Sequence, residues 1–260
     1  MPCSGIYHQD AYMQNMYAAY PEVLLVDATY KLSDLRMPLY IMMAVDGNGL
    51  GEIVCMFLVT DETEPLIGMA LQTFQQHNAA WTKTTTVLTD KDSVERNVFR
   101  TLFPSVSLII CLFHTLRTFR REITCEKMKI SSAQRGVCLG IVRDMVYSSN
   151  EQQYNVNNTH LQATGCLTVV DYITKSWHPI RSEWVEGLKA QHFTLGETTN
   201  NWLESINQKI KTVCTRHSRL QRFFTEVMQV IVVLRNERMH KALMMCTKRP
   251  TVGNDNQLAL

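Results

Sequence analysis

The 260-residue chain has eight cysteines but no C-x-x-C pair, so no closed zinc site is legible in it. No signal-peptide core is seen between Met1 and Tyr20. The longest apolar runs, such as Val227 to Leu234, fall far short of the roughly 20 residues that cross a bilayer. These absences argue against a secreted disulfide scaffold and a membrane-spanning protein. They make reduced thiols in the nucleus or cytoplasm the default. Proline is missing from Ser105 to His178, and much of that stretch reads as helix. Internal repeats and low-complexity tracts are also missing. What is present is ordinary for a globular chain: 45% hydrophobic and 19% charged residues, with a net charge of +2.

That charge is unevenly spread. Residues 1–65 hold nine acids against two bases, a balance of −7, so the remainder stands at +9. An acidic sheet region beside a basic helical region suits a protein that binds metal ions at one place and polyanion at another.

The most informative stretch is E-V-L-L-V-D-A-T-Y, Glu22 to Tyr30. Its uncharged aliphatic run has the pattern of a strand buried on both faces, and Asp27 closes it. A buried carboxylate needs a cation, donor or metal beside it. Further strands are expected at Leu39–Val45 and Ile53–Val59, separated by the turn D-G-N-G-L-G; these three strands form an antiparallel meander. Pro65 opens a helix, and a strand over Thr84–Thr89 ends at Asp90. Asp92 and Glu95 have capping-box spacing at the start of the next helix, which gives Asp92 a structural task and favours Asp90 as the site acid. Pro104 stops that helix before a strand over Val106–Ile110. A strand that returns to the sheet through a helix lies parallel to its neighbour. If the fourth strand lies beside the first, Asp27 and Asp90 meet at one sheet edge. Like charges that close require a cation between them. Asp34, Asp46 and Asp61 read as turn or strand-edge acids, and the polar patch 148–160 reads as a loop.

Downstream, Trp202 or Leu203, Ile206 and Ile210 give an apolar face to a helix carrying Glu204, and Leu220–Met245 forms a long apolar helix. Arg117, Arg120 and Arg121 share one helix face. From Asn207 to Arg222 come Lys209, Lys211 and Arg216 with two further bases and no acid, a run suited to phosphate. Cys111 and His114 are accessory candidates, with only half the spacing a zinc site needs.

Four motifs, D-A-T-Y at 27–30, T-D-K-D at 89–92, C-L-F-H at 111–114 and T-N-N-W-L-E-S-I-N at 199–207, follow the order and spacing of Mutator-like transposase domains. The longer runs D-A-T-Y-K-L-S-D-L-R-M-P-L-Y and C-L-F-H-T-L-R-T-F-R-R-E resemble the RNase H-like domain of SWIM-type zinc-finger proteins. The resemblance implies an α/β fold with a mixed five-stranded sheet, its first three strands antiparallel, flanking helices, and a helical insertion at about 115–195 before the last catalytic helix. A helical lead-in over 1–20, a domain over 21–245 and a disordered tail over 246–260 complete the expected organisation. The resemblance further implies that Asp27, Asp90 and Glu204 form an acidic triad holding two Mg²⁺ or Mn²⁺ ions for DNA phosphodiester cleavage or strand transfer, without structural zinc. The side chains should then converge to about 4–8 Å. DNA is the expected partner and the nucleus the expected location, with the C-terminal helix available for self-association or protein contacts. A DNA-reading domain and a C-x-C…C-x-H finger are missing from the sequence, as expected of a catalytic core on its own. An intact triad permits catalysis without establishing turnover, so a silent nuclear DNA-binding or protein-interaction module is the alternative.

Overall fold

A computed structural model describes residues 4–30, 32, 34–197, 199, 201–214 and 218–247. One mixed sheet organises them. Its strands are β1 (Gly5–His8), β2 (Val23–Thr29), β3 (Leu39–Val45), β4 (Gly51–Val59), β5 (Thr86–Thr89) and β6 (Ser107–Ile110). They lie in the order β1-β4-β3-β2-β5-β6. Strands β2, β3 and β4 are the expected antiparallel meander, and β5 and β6 return parallel to β2 and to each other.

The sheet has six strands rather than five. The residues expected to be only a helical lead-in begin with β1, which pairs antiparallel with β4 before α1 (Ala11–Ala19) starts at its Asp10 cap. In the β3–β4 turn, Asp46 accepts from the backbone N–H of Asn48 and Leu50 at 2.9 and 2.8 Å, and Gly49 takes φ +72°. Asp46 is thus the turn residue its sequence context implies.

Strand alternation sorts the side chains of β2 between two cores. Leu24 and Val26 face the layer built from α1, α2 (Glu64–His77) and α3 (Ser93–Leu102). Val23 and Leu25 face α10 (Asn201–Val213) and α11 (Leu220–Thr247), which contribute Leu203, Ile206, Ile210, Phe223 and Val227. By the same period Asp27 falls on the α10 side. Arg235 binds Asp10 at 2.8 Å and Arg238 binds Asp46 and Glu52 at 2.5 and 2.9 Å, clasping α11 to the sheet.

Between β6 and α10 lies a helical insertion with its own core. It comprises α4 (Leu112–Glu122), α5 (Cys125–Met128), α6 (Ser132–Val146), α7 (Glu151–Ala163), α8 (Leu167–Ser176), a 3-10 turn at His178–Glu183 and α9 (Glu186–Lys189). Phe119, Trp177 and Trp184 pack at its centre in tilted and edge-to-face contacts, with ring centroids of Phe119 and Trp177 4.3 Å apart. Gly187 seats α9 on the junction before α7, where an added Cβ would meet the Ser149 carbonyl carbon at 2.0 Å. The segment 148–160, expected as a loop, is mostly helix α7. Asn150 caps it by accepting from Gln153 N–H at 2.9 Å, and only Tyr154 and Leu161 are buried. The described residues thus form a mixed α/β, RNase H-like architecture. Residues 248–260, most of the expected tail, lie outside the described residues.

Candidate metal centre

The parallel register of β2 and β5 sets the site. Leu25 pairs with Leu88, so two residues further on Asp27 comes level with Asp90. Asp27 sits inside β2, paired on its other side with Ile41, whereas Asp90 follows the end of β5. Asp27 therefore projects past the shorter β5 into an open cleft of about 910 Å³, which Asp90, His114 and Glu204 also line.

Glu204 occupies the first turn of α10, where the unpaired N–H groups and helix dipole favour a carboxylate. His114 stands in the first turn of α4, directly after β6, with buried Cys111 as the preceding cap. Its Nε2 lies 3.0 Å from Glu204 Oε1. Single ligand atoms from Asp27, His114 and Glu204 all lie within 4.8 Å of one another. Asp90 stands beside this group rather than in it; its Oδ1 accepts from Lys91 N–H at 2.6 Å.

The electrostatics follow from that crowding. Burial raises Asp27 to about 6; the His114 cation opposes the shift, and the charges of Glu204 and Asp90 add to it. Burial opposes charging of His114, but hydrogen bonding and charge from Cys111, followed by Asp90 and Asp27, outweigh it and raise the imidazole to about 9. His114 thus neutralises part of the acidic cluster.

Several neighbours have no clear signal in the sequence. Asn207 donates to Asp27 Oδ2 at 2.6 Å, fixing the carboxylate from the same face of α10 as Glu204. The available signal was the i, i+3 spacing of Glu204 and Asn207. Tyr30 and Tyr40 both donate to Glu62 Oε1, at 2.9 and 2.7 Å, forming one cleft wall. Asp92 caps α3 by accepting from Val94 and Glu95 N–H, as its spacing indicated. The reciprocal half of that capping box is a correction: the Glu95 side chain is buried and its Oε1 has no hydrogen-bond partner.

The insertion grips the loop carrying Asp90. Lys91 Nζ donates to Ser176 O at 2.9 Å and lies 3.8 Å from the Trp177 ring centroid. Burial and nearby Arg96 lower that ammonium to about 8. Arg96 donates to Thr89 Oγ1 at 2.9 Å and pairs with Glu183.

The basic candidates divide by position. Arg117, Arg121 and Lys211 line the cleft. Arg120 is exposed on α4, outside the cleft lining, and Lys209 pairs with Glu237 of α11 at 2.8 Å. Arg216 lies outside the described residues.

Two carboxylates and an imidazole at this spacing suit a divalent cation. Among the described residues this is the one group of its kind, and no described helix is long and apolar enough to cross a membrane. Residues 2–109 match the family described as zinc finger SWIM domain-containing protein 1/3, RNaseH-like domain. That stretch carries the whole sheet except the last residue of β6, together with Asp27 and Asp90, and over it the chain is similar to the RNase H-like domain of the SWIM-type zinc-finger proteins.

Proposed function

We propose that this domain is a transposase-derived, metal-dependent centre for cleavage or strand transfer of DNA phosphodiesters, working in the nucleus. The observation that carries the reading is the convergence of Asp27, Glu204 and His114 beside Asp90 in one cleft bordered by Arg117, Arg121 and Lys211. Asp27, oriented by Asn207, would hold the ions together with Asp90 and Glu204, and His114 Nε2 stands where it can ligate or pair with Glu204. When bound, the divalent ions would activate the attacking oxygen and steady the leaving one. The imidazole is a softer donor than Mg²⁺ favours, which makes Mn²⁺ the better probe. Arg117, Arg121 and Lys211 would hold the substrate's phosphates at the rim, away from the acids.

Positioning limits turnover as much as metal does. The domain is therefore expected to bind ions while cutting DNA weakly by itself. In a supercoiled-plasmid nicking assay in Mn²⁺, wild type is expected to nick slowly and Glu204→Gln to match the protein-free background. Equal background in both would remove the catalytic reading.

That result would leave the second reading, a silent DNA-binding module, which the cleft-lining bases favour. Replacing Arg117, Arg121 and Lys211 with alanine is expected to weaken duplex binding alike across sequences. The salt slope should become shallower by roughly 0.9 for each phosphate that the variant leaves without a cationic partner. An unchanged slope would reduce these bases to a solvated face.

A further inference from the structure

The four residues of the proposed centre are not held in the same way. Asp27 lies within β2, and His114 and Glu204 lie within α4 and α10. Asp90 alone stands on a loop, one residue past Thr89, where the pairing of β5 with β6 ends. A sheet ladder fixes the residues it pairs, so the place of Asp90 depends on what grips this loop. The helical insertion grips it twice. Lys91 Nζ donates to Ser176 O, at the end of α8, at 2.9 Å and lies 3.8 Å from the ring centroid of buried Trp177. On the other side, Arg96 donates to Thr89 Oγ1 at 2.9 Å and pairs with Glu183 of the 3-10 turn. Thr89 Oγ1 in turn donates to Asp90 O at 2.7 Å. The residues before and after Asp90 are thus both tied to one end of the insertion.

From these contacts we infer that Lys91 is a positioning residue: by tying the Asp90 loop to the end of α8, it sets where the Asp90 carboxylate stands beside Asp27, His114 and Glu204, and so sets how tightly the centre holds a divalent cation. The inference rests on the metal reading above and adds a residue that touches no ion. An ammonium has no lone pair to offer a cation and repels one. Acting through its charge alone, Lys91 would therefore weaken metal binding, and its removal would tighten it. Acting as a tether, it does the opposite. The sign of the change separates the two.

The test is calorimetric titration of the full chain with Mn²⁺, comparing wild type, Lys91→Met, Lys91→Arg, Asp90→Asn and the double variant of Lys91→Met with Asp90→Asn. Methionine keeps the apolar stem on Trp177 but loses the bond to Ser176 and the cation over the ring. Lys91→Met should weaken Mn²⁺ binding about tenfold, the scale on which partners of metal ligands act. Lys91→Arg keeps both a donor and a cation for the indole, and should recover most of that loss. In the Asp90→Asn background Lys91→Met should change nothing further, because the residue acts through Asp90. Glu183→Gln loosens the same loop through Arg96 and should likewise weaken binding only while Asp90 is present. Unchanged or tighter binding in Lys91→Met would overturn the inference, as would an equal loss with and without Asp90, the mark of a general packing defect. Asp90→Asn binding Mn²⁺ like wild type would overturn it too, while leaving the cluster of Asp27, His114 and Glu204 standing. Wild type binding no Mn²⁺ would overturn the metal reading and this inference with it.

Discussion

Asp27→Asn is expected to bind no divalent ion at millimolar concentration and yet to be more stable than wild type at pH 7.5. The site places an ionised carboxylate under burial, with Glu204 and Asp90 adding to the strain, and this holds Asp27 at about 6 against an ordinary value of 3.8. An acid whose folded value is raised binds its proton more tightly in the folded state, so its ionisation destabilises the fold. The penalty is absent below about pH 3.8, grows through about 6 and is complete above that. Asparagine removes it while keeping an oxygen to accept from Asn207. The gain should be about 1–3 kcal/mol at pH 7.5 and should fade toward pH 4. For a chain of this size that raises Tm by several degrees. Thermal melts with and without Mn²⁺ at both pH values check it. A variant less stable than wild type at pH 7.5 would mean that Asp27 is a structural partner and not a strained ligand. This balance, stability given up for a charge held ready, is how functional sites differ from ordinary cores.

Asp27 and Asp90 were legible because two local rules act together. An apolar run ending in an acid marks a buried strand, and a strand returning through a helix must lie parallel, which brings the ends level. Glu204 was reached through the T-N-N-W-L-E-S-I-N motif, since helical periodicity gives its face but not its neighbours. The ion pair of His114 with Glu204 joins residues 90 positions apart on different helices. Nothing in the spacing of Cys111 and His114 encodes it. Strand β1 is not legible in the sequence because four residues ahead of a stronger helical pattern carry too little signal; it exists by pairing with β4. The helix in 148–160 is hidden in the sequence because its serines and asparagines favour caps and turns. It stands on an Asn150 cap and two buried anchors, which is tertiary information. Glu95 shows the reverse case. Its spacing from Asp92 is that of a capping box, yet in three dimensions its carboxyl is buried beside the cleft and its Oε1 has no hydrogen-bond partner.

His114→Gln should cost the metal-free protein about 2–3 kcal/mol at pH 7, and that cost should disappear in alkali. Hydrogen bonding and charge from Cys111, followed by the charges of Asp90 and Asp27, favour a cation at His114, whose Nε2 also lies 3.0 Å from Glu204 Oε1. Its value is raised from 6.5 to about 9 despite the burial that opposes it. A base with a raised folded value holds its proton more tightly when folded. It therefore contributes fully below about 6.5 and loses that contribution as pH climbs through about 9. Glutamine keeps similar length and polarity without the charge, so the gap between variant and wild type should be wide at pH 6.5–7 and nearly closed at pH 9.5. Denaturant unfolding in EDTA across that range measures it, with chelator present because a bound cation would replace the imidazolium charge. A gap that stays constant from pH 6.5 to 9.5 would assign His114 to packing against Phe113. A gap that closes would establish that, without metal, the acidic centre is held together by a proton on one histidine.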